Sequence, residues 1–180
     1  MSGRAAGRFG PWLAGMEAAL DGAGESDVPC GSCTACCHAS QFIHIAPDET
    51  DTISHIPREL LFPAPRAPKG HVLMGYDRDG RCPMLVDGRC SIYAHRPRTC
   101  RTYDCRVFPA AGLTADDPEI AATASEWEFT HEPGTDDETL HAAVRAAAAW
   151  IDAHRAELGD RAPVTNTQWA VDAIERRRQR

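Results

Sequence analysis

The sequence has 180 residues, with 26 acidic and 19 basic side chains, and its formal net charge is −7. This length allows one domain with a substantial core, and the acidic balance argues against general nucleic-acid binding, which needs a basic face. No apolar run approaches the roughly 18 residues of a membrane span, so we expect a cytoplasmic protein with no membrane association. Cytoplasmic thiols stay reduced, and the eight cysteines of the chain therefore indicate metal binding rather than disulfides.

The first half of the chain is predicted to contain short elements. Helical spacing of apolar residues predicts a helix over residues 11–20, ended by Gly22. Alternating apolar residues predict a short strand over residues 41–46. Pro47 and the two acids that follow it are typical of a helix start, and this helix would run to about residue 61, with a stop or kink near Pro57.

The middle of the chain is predicted to form a β-hairpin over residues 71–86. Asp77 and Gly80 favour a turn between the apolar segments 71–76 and 81–86. Asp87 and Gly88 predict a second turn, followed by a third short strand over residues 89–93. A helical turn is predicted after Pro97, over residues 99–105.

The last third of the chain begins with an acidic stretch that has no lysine or arginine between Arg106 and Arg145. Such a stretch is typical of a solvated face or a connection. Apolar spacing then predicts the longest helix, over residues 135–158 and ended by Gly159, and a last helix from Thr165 onward.

We therefore expect an α+β fold that is mainly helical, with a small β-hairpin and a loop-rich metal site organised by cysteines. The expected divisions are an N-terminal helix and linker (1–27), a cysteine-cluster metal-binding domain (28–108), and an acidic connection with C-terminal helices that pack on that domain (109–180).

Half of the cysteines lie in one short stretch, Cys30-Gly-Ser-Cys33-Thr-Ala-Cys36-Cys37. Its two x-x spacings bring three thiols around one loop, an arrangement that suits a metal ion or an iron–sulfur cluster better than packing. Cys37 follows Cys36 directly, and on an extended backbone it would face the opposite side, toward a second metal or another edge of a cluster.

The other half of the thiol set lies much further along the chain and consists of Cys82, Cys90, Cys100 and Cys105. A site that uses both halves closes a long chain loop and couples metal binding to folding. Two four-cysteine sites, or one cluster with spare thiols, both agree with the number of cysteines.

Polar side chains among the second set of thiols are candidate partners of the sulfurs. Guanidinium groups lower thiolate pKa values and donate hydrogen bonds to sulfur, and a tyrosine hydroxyl is a donor as well. Arg96, Arg101 and Tyr93 are therefore candidate outer partners of a cofactor, the alternative being ordinary surface and packing roles. His38 and His95 flank cysteines and are candidate ligands, whereas the other six histidines have no constellation of ligand residues around them.

Together these motifs resemble the CxxCxxCC cysteine-cluster family of zinc- or iron-chelating domains. The resemblance covers roughly residues 28–108 and implies metal binding by the eight cysteines alone. Some larger relatives, such as flagellin lysine methylases, contain this module, but the sequence has no recognisable methyl-donor site. The motifs that carry the resemblance are Cys30-x-x-Cys33-x-x-Cys36-Cys37, Cys82-Pro83-x-Leu85, Cys90-x-Ile92-Tyr93 and Arg96-Pro97-x-x-Cys100-Arg101-x-Tyr103-x-Cys105.

The identity of the metal is predicted from spacing. A Cys-x-x-Cys-x-x-Cys run with a remote Cys-Pro favours an iron–sulfur cluster, whereas zinc usually takes four ligands in paired x-x spacings. The preferred hypothesis is a protein that holds an iron–sulfur cluster, or iron or zinc ions, and serves electron transfer or an oxidoreductase step, itself or as an accessory component. The alternatives are a structural zinc module that presents the helical C-terminal region to a protein partner, and metal storage or delivery. No phosphate loop, dinucleotide fingerprint or nucleophile elbow occurs, and no catalytic residue is assigned.

Overall fold

The computed structural model describes residues 3–26 and 28–178. The chain divides into two compact units. We call Cys30–Tyr103 the thiol unit, because it contains seven of the eight cysteines. The described residues of 1–29 and 104–180 form the other, which we call the helical unit.

Short strands and helices alternate along the chain, and the fold is mainly helical with small sheets, as predicted. No described helix is both long enough and apolar enough to cross a bilayer. Single 3₁₀ turns span Arg58–Leu60, Tyr93–His95 and Gly159–Arg161. In chain order the other elements are β1 (Arg4–Arg8), α1 (Phe9–Leu20), α2 (Ala35–His38), β2 (Ile43–Ile45), α3 (Thr50–Ser54), β3 (Leu61–Pro63), β4 (Val72–Met74), β5 (Leu85–Val86), β6 (Arg89–Cys90), α4 (Arg98–Thr102), α5 (Val107–Ala111), α6 (Pro118–Ala124), β7 (Trp127–Thr130), α7 (Asp137–Ala153), α8 (Arg155–Leu158) and α9 (Asn166–Arg178).

The helical unit is built on α1, α5, α7 and α9, which pack on one another. Its core side chains Phe9, Leu13, Phe108, Val144 and Ile174 are at most 2% exposed. The strands β1 and β7 pair in parallel beside these helices. The first and last predicted helices are confirmed as α1 and α9, and the longest is confirmed as α7, continued by the separate turn α8.

A buried ion pair joins two distant chain segments of the helical unit. Asp104 and Arg106 are 3% and 7% exposed, and Arg106 Nη2 donates to Asp104 Oδ2 at 2.8 Å. The same carboxylate accepts hydrogen bonds from Trp12 Nε1 at 2.9 Å and from Ser26 Oγ at 2.6 Å. Arg106 Nη1 donates to the carbonyl of Ala6 at 3.1 Å. Because both charges are hydrogen-bonded, their burial is tolerated. The same hydrogen bonds hold the chain around residue 105 in place.

The thiol unit has a three-stranded antiparallel sheet in the order β2-β4-β3. Cys82 and Cys90 pack against the apolar cluster of this unit, so two of the thiols lie directly on its core. The buried members of that cluster are Ile45, Ile56, Met74, Met84 and Ile92.

The predicted hairpin over residues 71–86 is wrong, although its turn exists. Asp77 Oδ1 accepts the N–H groups of Asp79 and Arg81 at 2.8 and 2.9 Å, which fixes the turn. The strand before the turn, β4, pairs instead with β2 and β3. After the turn comes Pro83, which has no N–H to give to a ladder, so the chain there forms a loop rather than a partner strand.

The small β-hairpin of the fold is β5 with β6. Asp87 and Gly88 connect the two strands with φ values of 49° and 71°. Two consecutive positive φ values are typical of the tight turn that matches strand twist, and Asp-Gly is a favoured sequence for it. The predicted second turn and third strand are thus confirmed, although the strand is shorter than predicted.

The predicted helix over residues 47–61 is also shorter than expected. Only α3 and a separate 3₁₀ turn form there, with Pro57 between them at φ −50° and ψ 129°. A proline inside a helical segment removes a hydrogen-bond donor and clashes with the preceding turn, which explains the break. The predicted helical turn near residue 100 is confirmed as α4, which ends before Cys105.

Candidate metal centre

The first thiol loop begins with a tight turn and ends in a helical turn. The N–H of Cys33 donates to the carbonyl of Cys30 at 3.0 Å, and Gly31 between them has a φ of 57°, a value that favours glycine. Cys36 and Cys37 lie in α2. The prediction that they extend to opposite sides is therefore wrong, because consecutive side chains of a helix diverge by about 100°.

The two halves of the thiol set meet at Cys37 and Cys82. The N–H of Cys82 donates to the carbonyl of Cys37 at 2.7 Å, and the two thiols also form a side-chain hydrogen bond. Nearby, the N–H of Ser40 donates to the carbonyl of Gly80 at 3.0 Å. These contacts hold together two segments that are far apart in the sequence.

The thiols around this junction change one another's pKa. The hydrogen bond from Cys37 lowers the pKa of Cys82, whereas the same bond, with burial and the nearby Cys90 and Cys36, raises the pKa of Cys37. Burial raises the pKa of Cys90. Cys37 therefore resists ionisation beside the other thiols, and a bound cation would relieve this repulsion by giving each thiolate a positive partner.

Cys100 belongs to the same cluster. Burial of the thiol raises the pKa of Cys100 to about 12, and the nearby Cys82 and Cys90 raise it further. By surface area the residue is exposed.

Backbone N–H groups face two of the sulfurs. The N–H groups of Met84 and Leu85 act on the Cys82 thiol and lower its pKa, and the N–H of Ile92 acts in the same way on Cys90. The turn after Cys82 positions these donors, since Leu85 N–H also donates to the Cys82 carbonyl at 2.9 Å. Donors of this kind stabilise the thiolate form that a metal requires.

Arg96, one of the predicted outer partners, acts electrostatically on two of the thiols. Its charge lowers the pKa of both Cys90 and Cys100. Its guanidinium lies 3.6 Å from the centre of the Tyr93 ring, which is itself 61% exposed. Its Nε is buried and has no hydrogen-bond partner among the described residues, so one donor remains available for a cofactor.

Arg101, the third predicted outer partner, contacts a carboxylate. Its Nη2 lies 4.0 Å from Oε2 of Glu49, whose side chain is 4% exposed. Glu49 also accepts the N–H of Arg98 at 2.5 Å and the N–H of Ala46 at 2.9 Å. Sequence reasoning missed Glu49, which joins the start of α4 to the segment after β2.

Cys105 belongs to the helical unit, whereas the other seven cysteines belong to the thiol unit. It is 6% exposed, and Trp127 Nε1 lies 3.1 Å from its Sγ as a hydrogen-bond donor. The buried pair of Asp104 and Arg106 flanks it on both sides. The Cys105 sulfur is therefore a buried hydrogen-bond acceptor within the helical unit.

The two candidate histidine ligands differ in their surroundings. His38 ends α2, immediately after Cys37. His95 instead lies beside Asp51 and His55, and the three offer candidate ligand atoms that all lie within 4.8 Å of one another. Sequence reasoning missed this cluster; the only signal was the spacing of Asp51 and His55, four residues apart.

The donor set fits a thiophilic metal, because thiols from two segments converge and Arg96 has an available donor beside them. Comparison with protein-family models gives a match over residues 29–131 to CxxCxxCC, described as a putative zinc- or iron-chelating domain. The matched region contains all eight cysteines and extends past residue 108 through α6 and β7. No curated protein and no solved structure matches the chain.

Proposed function

We propose, from the premise that the chain belongs to the CxxCxxCC family of zinc- or iron-chelating domains, that its cysteines hold an iron–sulfur cluster. The observation that carries this proposal is the junction of Cys37 and Cys82, with Cys90 and Cys100 in the same thiol cluster. These four are the first candidates for ligands. The other predicted ligands are Cys30, Cys33, Cys36 and Cys105.

Features around the junction favour a cluster over a single ion. Pro83 follows Cys82, as proline follows the remote ligand of bacterial iron–sulfur proteins. Backbone N–H groups act on the sulfurs of Cys82 and Cys90, and the charge of Arg96 acts on Cys90 and Cys100. Partners of this kind tune the reduction potential of iron–sulfur clusters.

A bound cluster of this type supplies one-electron transfer. The chain contributes thiolates, donors to the sulfurs and access from solvent. Cys36 and Cys100 are both exposed, so part of the thiol set lies at the surface. An electron-transfer partner can therefore reach the surface at these two residues, which supports a redox role in an oxidoreductase or in one of its accessory components.

A structural zinc ion is the second candidate, favoured by the number of thiols at the junction. Cys37, Cys82, Cys90 and Cys100 together equal the four ligands of a closed zinc site. In that case the metal stabilises the thiol unit, and the helical unit is the surface offered to a protein partner.

Anaerobic purification followed by iron, sulfide and zinc analysis, with a visible spectrum, tests the proposal. We expect iron and sulfide in stoichiometric amounts and a colour that dithionite bleaches reversibly. Colourless protein with stoichiometric zinc would overturn the cluster in favour of the zinc candidate. Protein that binds neither metal after anaerobic reconstitution would overturn both, and a cluster that dithionite leaves unchanged would refute the redox role.

A further inference from the structure

We propose that the thiol unit carries a second metal site, formed by Asp51, His55 and His95, for a divalent first-row transition-metal ion. The site uses nitrogen and oxygen ligands and no thiol. It is therefore distinct from the cysteine site, and its existence does not depend on which metal the cysteines hold.

Two neighbouring elements bring the three side chains together. Asp51 lies in α3 and His55 is the residue that ends this helix, so the two are one helical turn apart. His95 ends the 3₁₀ turn Tyr93–His95. The imidazole rings of His55 and His95 stack with their centres 3.6 Å apart and their planes at 8°.

The contacts of the site set which ring nitrogens are available. His95 Nδ1 lies 2.7 Å from Asp51 Oδ2. His55 Nδ1 lies 2.8 Å from the Asp51 carbonyl oxygen, which can only accept, so this nitrogen carries the proton and Nε2 keeps its lone pair. A histidine whose Nδ1–H donates to a carbonyl is oriented for metal binding through Nε2.

The spacing of the ligand atoms agrees with a small cation. Ligands at about 2.0–2.2 Å from a metal lie roughly 3 Å from one another. The contact between His95 Nδ1 and Asp51 Oδ2 already has this length, and each of the three residues offers one nitrogen or oxygen atom within 4.8 Å of those of the other two. Asp51 and His55 are exposed, so a change of their side-chain rotamers can bring the ligand atoms to the separation that a metal requires.

The donor set determines the class of metal. Two imidazoles and one carboxylate bind zinc or iron(II) and leave coordination positions open to water or substrate. Magnesium and calcium prefer oxygen ligands and are disfavoured here. The solvent exposure of the cluster also leaves room for such additional ligands.

A Co²⁺ titration of the full-length protein, with its cysteine site loaded as purified, tests the proposal. We expect one equivalent of Co²⁺ to bind with weak d–d bands and no sulfur-to-metal charge transfer. His55→Gln and Asp51→Asn should each weaken this binding by at least about 10-fold, the scale of effect seen even for residues that only support a metal ligand. Metal bound to the cysteines should remain unchanged in both variants.

His71→Gln is the matched control. His71 forms another histidine pair in the same unit, with its Nδ1 2.8 Å from His44 Nε2 and the ring centres 5.0 Å apart. No carboxylate joins that pair in a three-ligand group among the described residues. The control variant should therefore bind Co²⁺ as the wild type does.

Two outcomes would overturn the second site. One is equal Co²⁺ affinity in wild type, His55→Gln and Asp51→Asn; the other is no Co²⁺ bound outside the thiols. Paramagnetic shifts of the His55 and His95 ring protons in the wild type provide a test that needs no variant. Unshifted resonances for both rings at saturating Co²⁺ would contradict the proposal even if a variant failed to fold.

Discussion

The helical unit and the thiol unit stabilise their folds by different means. The helical unit packs long helices around large buried side chains such as Phe9, Phe108 and Ile174, each of which contributes about 1.5–3 kcal/mol. The thiol unit has helices and strands of two to five residues around a small apolar cluster. A unit with so little regular structure needs an additional constraint, and we infer that its metal supplies it.

Removal of the metal should produce the largest difference in stability between the two units. With a chelator and a reductant present, we expect the amides of β2, β4 and α4 to lose protection from hydrogen exchange, while those of α7 and α9 keep it. The expected loss in the thiol unit is complete, since a structural metal contributes on the order of 10 kcal/mol. Exchange that is unchanged in the thiol unit, or equally increased in both units, would refute this contrast.

Cys82→Ser and Cys105→Ser are expected to have different effects on the metal content, because the two cysteines belong to different units. Cys82 lies at the thiol junction, so its loss should remove most of the metal, measured per mole of folded protein. Cys105→Ser should keep most of the metal and lower stability, because its sulfur is buried beside Trp127 in the other unit. Equal metal contents in the two variants would disagree with this division of roles.

Disrupting the buried ion pair of the helical unit should lower the free energy of unfolding by an intermediate amount. Arg106→Met leaves the Asp104 carboxylate buried without its charge partner, and we expect a loss of about 3–5 kcal/mol in the free energy of unfolding. The metal content of folded protein should stay constant. The double variant Asp104→Asn with Arg106→Met should recover part of the lost stability. Urea unfolding of the single and the double variant measures their free energies of unfolding, and equal values would contradict the ion-pair explanation.

His141 should make a small contribution to the pH dependence of the stability of the helical unit. Burial lowers the pKa of His141 to about 4, with Arg145 and His131 as further causes, and its ring stacks on Phe9 at 4.1 Å. An unfolded histidine has a pKa near 6.5, so the unfolded state binds the proton first as the pH falls. This contribution to stability is therefore complete above about pH 6.5 and is lost progressively toward pH 4.

His141→Gln should make the stability of the helical unit less dependent on pH over that window. Hydrogen exchange of α7 amides at pH 7 and pH 5 measures this without interference from the thiols. An NMR titration in which His141 has a midpoint near 6.5 would show that the ring is not protected by burial.

Local signals in the sequence predict much of the helical unit and little of the pairing between strands. Apolar spacing is sufficient for α1, α7 and α9, and Asp87-Gly88 is sufficient for the small hairpin. The strand β1 was missed because its partner β7 lies more than a hundred residues away. The hairpin over 71–86 was wrong for a similar reason, since β4 finds both partners earlier in the chain.

In the candidate site, too, the sequence predicts features that depend on local spacing but not contacts between distant segments. Spacing alone identifies the cysteines and the likeness to a metal-binding family. It does not show that Cys37 meets Cys82, nor that Cys105 lies in the other unit. His95 was a candidate because it lies near cysteines in the sequence, yet its partners Asp51 and His55 come from α3 and its end, which only the fold reveals.

Thiols from both halves of the thiol set are expected to bind the metal. X-ray absorption at the edge of the metal bound to anaerobically purified protein identifies its ligand atoms. We predict a shell of sulfur neighbours at about 2.3 Å, which is lost together with the metal in Cys82→Ser. A shell of nitrogen and oxygen alone, at about 2.0–2.2 Å, or a sulfur shell that persists in Cys82→Ser, would contradict it.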